Sequence, residues 1–160
     1  MLAKMVKSGK LPPLEQRLPE NPLVEKPVSE IGKYGGKLVL GTAFFLDDER
    51  YPARLDRNGF FQFTYPFPSD GPINPNLAES WKWNDAGTEL TINLRKGIKW
   101  SDGVPFTVDD VVFFMEDIVD NKDVAYIWFY EGSFYEASGN FPSITKIDDF
   151  TLKIKYESKI

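Results

Sequence analysis

Three pairs of adjacent aspartates are the side chains of this chain best suited to acid–base chemistry. They are Asp47 with Asp48, Asp109 with Asp110, and Asp148 with Asp149. Two carboxylates that flank one glycosidic bond can act as general acid and nucleophile. Each pair also fits a structural position: a loop, a helix N-terminus and a hairpin turn respectively. Because adjacent residues on a strand point to opposite faces, joint action is disfavoured, and we expect no catalytic residue and no enzymatic activity.

The absence of two residue types removes most other catalytic and metal chemistry. The chain has 160 residues and contains neither cysteine nor histidine. A cysteine nucleophile, a Ser-His-Asp triad and the usual His/Cys zinc sites are therefore excluded. Asp47, Asp48 and Glu49 could hold a metal ion, but a solvated acidic loop is the favoured interpretation. We predict no metal and no cofactor.

The charge and hydropathy of the chain restrict its partners. Its net charge is −5, and no cluster of Lys and Arg stands out. Since neutralising phosphates requires a basic patch, we expect no nucleic-acid partner. No apolar run approaches the roughly 20 residues that span a bilayer. The N-terminal apolar run is also too short for a signal peptide, so any export signal would lie outside this sequence.

Aromatic side chains are the best candidates for binding a ligand, and they make up 15% of the chain. Their flat faces stack on sugar rings or receive apolar peptide side chains. Trp81, Trp83 and Trp100 lie on predicted strand segments, so we expect core packing for them. Tyr126, Trp128 and Tyr130 follow a predicted helix and lie near a loop, and for them core packing and ligand contact both stay open.

Two hairpins and a helix should position these residues. Alternating apolar residues predict strands on either side of the turn at 84–87, with Leu90, Ile92 and Leu94 facing inward. A second hairpin is predicted around the turn at 148–149, with no later helix to cover it. Between the hairpins, Thr107 and Asp110 form a capping-box pattern before an apolar helical stripe that runs from Val108 to Val119. Phe113 falls outside the stripe, either exposed or covered by another part of the chain.

The N-terminal part is harder to interpret. Residues 2–6 suit a short amphipathic helix, and five prolines between residues 12 and 27 predict an extended segment or a disordered leader. Residues 37–42 read as a first strand. Residues 43–73 contain an alternating aromatic run at 61–67, which Pro66 and Pro68 restrict to an edge strand or a loop.

Several linked phrases resemble one known family, the family 5 extracellular solute-binding proteins of ABC importers. Residues 76–81, NLAESW, resemble the family phrase P-x-LAESW. Residues 94–103, LRKGIKWSDG, resemble LRKGVKWSDG, and residues 105–113 resemble PFTADDVVF. Residues 147–152, IDDFTL, and residues 34–38, YGGKL, resemble two further family phrases. The leader at 11–22 is similar to that of one branch of the family.

The resemblance implies a fold and a division of the chain. Members have two α/β lobes joined by a hinge, a periplasmic-binding-protein-like class II fold, with an extra subdomain on the N-terminal lobe. We therefore predict an α/β chain with α+β character. Residues 1–33 would be a Pro-rich leader. Residues 34–160 would be a partial N-terminal lobe, whose hairpin–helix subdomain spans about 74–156. Because the sequence ends after a hairpin, we expect an N-terminal fragment that lacks the second lobe.

The resemblance also implies a function. The intact protein would capture a peptide or an oligosaccharide and deliver it to an ABC permease in the membrane. It would be periplasmic or extracellular, with a lipid anchor as one possibility. The loop after the first strand and the segment after the capped helix approach the ligand in this family. Those stretches correspond to Phe44, Phe45, Tyr126 and Trp128, our candidate substrate-binding residues. The aromatic content leaves a free-standing carbohydrate-binding module as the alternative.

Overall fold

The architecture is an antiparallel sheet with a helix on one face and an N-terminal segment along one edge. It comes from a computed structural model, which describes residues 2–24, 27, 29–33, 35–36, 59–63, 72–119, 121, 123 and 141–159. Within these residues, no helix has the length and apolar character needed to cross a membrane. The predicted strand at 37–42 and the acidic cluster at 47–49 lie outside them.

The leader forms little regular structure, as its prolines predict. Helix α1 spans Leu2–Lys7 and buries none of its residues. A single 3₁₀ turn at Leu14–Gln16 follows Pro13. Proline is compatible with the start of such a turn because it needs no donated N–H there. The remaining described leader residues lie in turns, in bends or in stretches without regular structure.

A small two-stranded sheet precedes the main one. Strand β1, Phe61–Phe63, pairs antiparallel with β2, Ile73–Pro75. The Asn76 side chain donates a hydrogen bond from Nδ2 to the Gly59 carbonyl at 2.8 Å. The backbone N–H of Ala78 donates to the Phe60 carbonyl at 3.0 Å. These bonds join the small sheet to the strand that follows.

The first predicted hairpin is present as strands β3, Ala78–Trp83, and β4, Glu89–Leu94. Asn84 organises the turn between them. Its Oδ1 accepts hydrogen bonds from the backbone N–H of Thr88 at 2.9 Å and of Glu89 at 3.1 Å. Gly87 has a φ of 68°, a left-handed conformation that glycine adopts without steric cost. The turn residues therefore fix the register of the hairpin.

The second predicted hairpin consists of β5, Ser143–Asp148, and β6, Thr151–Lys155. Strand β6 pairs with β4, so the main sheet has the order β3-β4-β6-β5 and is antiparallel throughout. The helix at Val108–Phe113, α2, packs against β5. The expectation that nothing covers this hairpin is therefore wrong, because the covering helix comes from upstream in the sequence.

One face of the main sheet holds the core. Its cluster of buried residues is Ala78, Leu90, Ile92, Leu94, Val108 and Leu152. Ile92 is central, since it pairs with Trp81 on one side and with Leu152 on the other. The period-two pattern correctly predicted which side chains of β4 are buried. The opposite face is polar along the same strand, with Thr91 and Asn93 partly exposed.

Helix α2 spans Val108–Phe113 and begins with the predicted capping box. The Thr107 backbone N–H donates to Asp110 Oδ2 at 2.8 Å, so the shorter carboxylate does reach the cap. A π-helical segment, Phe114–Val119, continues the helix. The prediction of one regular helix to Val119 is thus wrong in its second half, where the hydrogen-bond spacing widens. Of the two alternatives for Phe113, exposure is correct, at 57%.

Candidate functional site

The four predicted substrate-binding residues, Phe44, Phe45, Tyr126 and Trp128, lie outside the described residues, as does Tyr130. Their assignment as ligand contacts therefore stays a prediction. The described part of the chain instead defines the surroundings of the aspartate pairs, of the tryptophans and of one surface cleft.

The second and third aspartate pairs are joined by a lysine rather than arranged around a substrate. Lys146 Nζ lies 2.6 Å from Asp109 Oδ2 and 2.8 Å from Asp149 Oδ1. These hydrogen bonds, to Asp109 first and to Asp149 second, raise the pKa of Lys146. The backbone N–H of Val108 donates to the Asp149 carbonyl at 2.9 Å. The contacts fasten the start of α2 to the β5–β6 turn, which is a structural role.

The other two carboxylates also have structural partners. Asp110 Oδ1 accepts a hydrogen bond from Trp100 Nε1 at 3.2 Å, in addition to the cap bond. Asp148 Oδ1 accepts the Phe150 backbone N–H at 2.8 Å inside the hairpin turn. That backbone hydrogen bond is the main cause of the lowered pKa of Asp148. A general acid needs a raised pKa, so Asp148 is unsuited to that role.

The tryptophans do not all meet the expectation of core packing. Trp81 is partly buried and packs edge-on against Phe61, with ring centroids 4.7 Å apart. Trp83 is 36% exposed and lies 5.7 Å from the Tyr156 ring. Trp100 is 50% exposed, so its assignment to the core is wrong. It lies in the loop between β4 and α2, where its indole N–H can reach Asp110 and its ring contacts Phe106 at 5.4 Å.

A shallow cleft of about 400 Å³ opens where β4, β6 and their turns meet. It is lined by Glu79, Asn93, Leu94, Lys96, Asp148, Asp149, Phe150 and Thr151. Lys96 Nζ lies over the Phe150 ring, 5.7 Å from its centroid. Asn93 donates from Nδ2 to Ser80 Oγ at 3.0 Å and accepts from Thr151 Oγ1 at 3.4 Å. Hydroxyl, amide and carboxylate groups around one aromatic ring suit a polar ligand.

The sequence analysis did not identify this cleft. Asn93 and Thr151 are partners across β4 and β6, and Glu79 lies at a register irregularity of β3. The alternating pattern placed Asn93 and Thr151 on the polar faces of their strands, and it gave no assignment for Glu79. Which residues face one another depends on strand order, and strand order is not encoded in the alternation. Among the described residues, no acidic cluster has the arrangement of a metal site.

Arg95 is a second residue whose environment the sequence did not reveal. The alternation placed it on the polar side of β4, yet it is only 5% exposed. Its Nε donates to the Asn76 carbonyl at 3.2 Å, and its Nη1 donates to the Asn21 carbonyl. Asn21 of the leader contacts the Arg95 side chain and contributes to its burial. A pattern within the strand alone could therefore not predict that Arg95 is buried.

The described carboxylates of the second and third aspartate pairs thus take part in structural contacts, at the capped start of α2 and in the β5–β6 turn. Residues 72–159 match the family described as bacterial extracellular solute-binding proteins, family 5 Middle. The chain belongs to this family, as the phrases NLAESW and LRKGIKWSDG predicted.

Similarity to individual proteins extends over almost the whole chain. A periplasmic alpha-galactoside-binding protein of Rhizobium meliloti strain 1021 is 35% identical over 94% of this chain and 24% of its own length. An oligopeptide-binding protein OppA of known structure has 35% identity and a TM-score of 0.71, over 99% of this chain and 24% of its own.

A third similar protein was solved with its ligand. The periplasmic binding protein MelB of Agrobacterium fabrum C58, in complex with stachyose, has 32% identity and a TM-score of 0.70. That match covers 98% of this chain and 26% of MelB. The present chain thus spans about a quarter of the length of these relatives. The predicted periplasmic-binding-protein-like fold, present here as a partial lobe, is confirmed. The division at residues 33 and 34 stays a prediction.

Proposed function

We propose that this chain is part of the substrate-binding component of an ABC importer, which captures an oligosaccharide or a peptide outside the cytoplasmic membrane. The main support is the family match at 72–159, together with structural similarity to binding proteins along 98–99% of the chain. The relatives named periplasmic support a periplasmic or extracellular location, and a lipid anchor belongs to this proposal as well. A membrane permease is the partner that such a receptor requires.

An oligosaccharide is the ligand class we favour. Of the three relatives described above, two have names or complexes that specify a sugar ligand, an alpha-galactoside and stachyose. The third is an oligopeptide-binding protein, so a peptide is the second candidate. Both classes carry many hydrogen-bonding groups and can be bound in a cleft with aromatic walls.

In this proposal the described residues contribute framework and the flanking aromatic segments contribute ligand contacts. Trp81 packs against Phe61 and Trp100 is fixed by Asp110, which leaves both with structural roles. Phe44, Phe45, Tyr126 and Trp128 are the proposed contacts. Ligand binding between two lobes would favour the closed receptor, because the ligand contacts both lobes only in that state.

The ligand class is tested by calorimetry on the product of the longest open reading frame that contains this sequence. Titration with stachyose should give saturable binding at one site, whereas a tripeptide should give no heat beyond dilution. Saturable binding of the tripeptide alone would reverse the order of the two ligand classes. Silence with both ligands, and with a wider panel of sugars and peptides, would contradict the proposed function itself.

The same titration on the 160-residue chain tests the alternative, a free-standing carbohydrate-binding module. The specific observation in its favour is the cleft beside Phe150, with its ring of polar groups. A module binds by itself, so it would give saturable heat with these residues alone. We expect no binding by the short chain, because a two-lobe receptor needs ligand contacts from both sides of its cleft.

A further inference from the structure

The leader lies against the turn that follows β4. We call its residues 16–21 the strap. The Glu20 backbone N–H donates to the Lys96 carbonyl at 3.0 Å, in the last part of the strap. Lys99 Nζ donates to the Gln16 carbonyl at 2.9 Å, at its other end. The Asn21 side chain adds a hydrogen bond from Nδ2 to Glu79 Oε1. The strap is thus held at both ends, although the prolines of the leader also allowed a disordered segment.

Arg95 makes the sheet depend on the strap. Its side chain is buried, and it donates hydrogen bonds to two neutral carbonyls, those of Asn76 and Asn21. A buried charged donor that loses an acceptor is strongly unfavourable, because water cannot replace the lost bond without opening the structure. Release of the strap removes the Asn21 acceptor and most of the reason for Arg95 to stay buried. Strap and guanidinium should therefore be released together.

Gly97 allows the strap to approach the backbone closely. A Cβ added at Gly97 would lie 3.1 Å from the Glu20 nitrogen and 3.2 Å from the Pro19 Cα. Those neighbours are backbone atoms, which cannot rotate away as the end of a long side chain does. Gly97 also has a φ of 82°. Gly103 has a similar φ of 94°, but its added Cβ would meet nothing within 4 Å. The two glycines thus differ in contact with the strap while sharing the same backbone requirement.

We propose that the surface formed by Glu79, Arg95, Lys96, Gly97 and Lys99 is a docking surface for a bent peptide segment, and that the strap of this chain is its native occupant. Recognition uses two strap carbonyls and one strap N–H, so it reads backbone shape more than side-chain identity. Pro19 and Pro22 restrict the free leader, which lowers the entropy lost on docking. Release of the strap then exposes Arg95 of the sheet at the same time. This coupling does not depend on which ligand the receptor binds.

Limited digestion of the whole chain with trypsin measures strap release directly. Arg17 lies inside the strap, and Lys10 precedes it in the same leader, so mass spectrometry can follow the two cleavages in one sample. Cleavage of a docked segment requires prior opening, and its rate follows the population of the open form. We expect cleavage after Arg17 to be at least about tenfold slower than after Lys10. Equal rates in the wild-type chain would contradict docking.

Two alanine variants test whether the close contact between Gly97 and the strap backbone is needed for docking. Gly97→Ala should increase the rate of cleavage after Arg17 by about tenfold or more, since a misfit at a packed contact shifts opening by this order. Gly103→Ala is the matched control, with the same backbone strain and no strap neighbour, and should leave the ratio of Arg17 to Lys10 cleavage unchanged. Similar ratios in both variants would overturn the assignment of Gly97.

Arg95→Lys tests the anchor while keeping its charge. Lysine lacks the planar fork that reaches two carbonyls at once, so we expect faster cleavage after Arg17 here too. Hydrogen exchange of the Glu20 amide in the wild-type chain gives a result that does not depend on any variant. Protection of this amide supports docking, and exchange at the rate of an unstructured peptide would refute it. None of these readouts involves a sugar or a peptide ligand. Strap docking can therefore be refuted while the proposed function stands, and the proposed function can be refuted while strap docking stands.

Discussion

The Asp110 carboxylate accepts hydrogen bonds from two different parts of the chain. Asp110 caps helix α2 through the Thr107 N–H and also accepts the indole N–H of Trp100. It therefore joins the loop at 98–106 to the helix that follows it. A negative charge in the first turn is also favoured by the helix dipole. The second acidic pair therefore has structural contacts at both positions, local ones for Asp110 and a long-range ion pair with Lys146 for Asp109.

Asp148 gives a prediction at the same scale. Its pKa lies below the ordinary value of 3.8 because the ionised carboxylate accepts the Phe150 N–H. Folding favours the charged form, so this contribution is complete above pH 3.8 and is lost as the pH falls through the lowered pKa. Asp148→Asn keeps an acceptor oxygen but removes the charge. The midpoint of thermal unfolding should then fall less between about pH 5 and about pH 2 than in the wild type.

Comparison of the two melting curves provides the control for Asp148. Asp85 provides a matched substitution, since it is an exposed aspartate in the other hairpin turn, between β3 and β4. Asp85→Asn removes the same charge and controls for the change in the net charge of the chain. If Asp148→Asn and the wild type lose stability in parallel on acidification, the turn carboxylate has no role in the acid response.

At the scale of elements, the main sheet is stabilised from strands that are distant in sequence. Strand β4 pairs with β3 on one side and β6 on the other, and its Leu90, Ile92 and Leu94 meet Leu152 from β6. Helix α2 closes the face by adding Val108 to the same cluster. The second hairpin is therefore part of the core of the first. Neither hairpin could bury its apolar face alone, because a two-stranded unit has nothing to pack against.

Leu152→Ala tests this shared core. Leu152 is fully buried at 0% exposure, so truncation removes apolar contacts and leaves a cavity. We expect a loss of about 2–5 kcal/mol in the free energy of unfolding, measured by urea denaturation. Ile147→Ala is the control, since Ile147 is in the same hairpin but 55% exposed. That variant should change the free energy by less than about 0.5 kcal/mol. Equal effects would mean that the second hairpin is not integrated into the core.

At the scale of the whole molecule, the chain is about a quarter of the length of the relatives it matches. Its main sheet and helix α2 share one buried cluster of apolar side chains. The leader is joined to the sheet by the hydrogen bond from Arg95 to the Asn21 carbonyl. The proposed ligand contacts belong to two other segments of the sequence, one before β1 and one between the π-helical segment and β5. Binding and stability should therefore depend on different residues, which a pair of tryptophan substitutions can separate.

Trp128→Ala in the product of the longest reading frame should weaken binding of stachyose by about 1–3 kcal/mol, because aromatic anchors carry much of the affinity in such sites. Calorimetry gives the change in affinity, and the unfolding midpoint shows whether the fold is intact. Trp100→Ala is the matched control, an aromatic truncation at a residue that contacts Phe106 and Asp110. Its affinity should stay within about twofold of wild type. Undiminished affinity in Trp128→Ala would remove this residue from the site.

Local patterns in the sequence were sufficient for the four strands of the main sheet, their hairpin turns, the capped start of α2 and the family. Alternation specified the inward face of β4, Asn84 and Gly87 specified its turn, and Thr107 with Asp110 specified the cap. Each of these features rests on residues within a few positions of one another. That range is short enough for spacing alone to carry the information.

The tertiary structure decided what depends on contacts between distant residues. It buried Arg95, which alternation placed on the polar side, because Asn21 of the leader reaches it. It exposed Trp100, because a nearby aspartate receives the indole N–H and no strand holds the ring. It covered the second hairpin with an upstream helix and brought Asn93 and Thr151 to one cleft. Burial and pairing of this kind follow from which surfaces meet in space, and no period within a single segment records that.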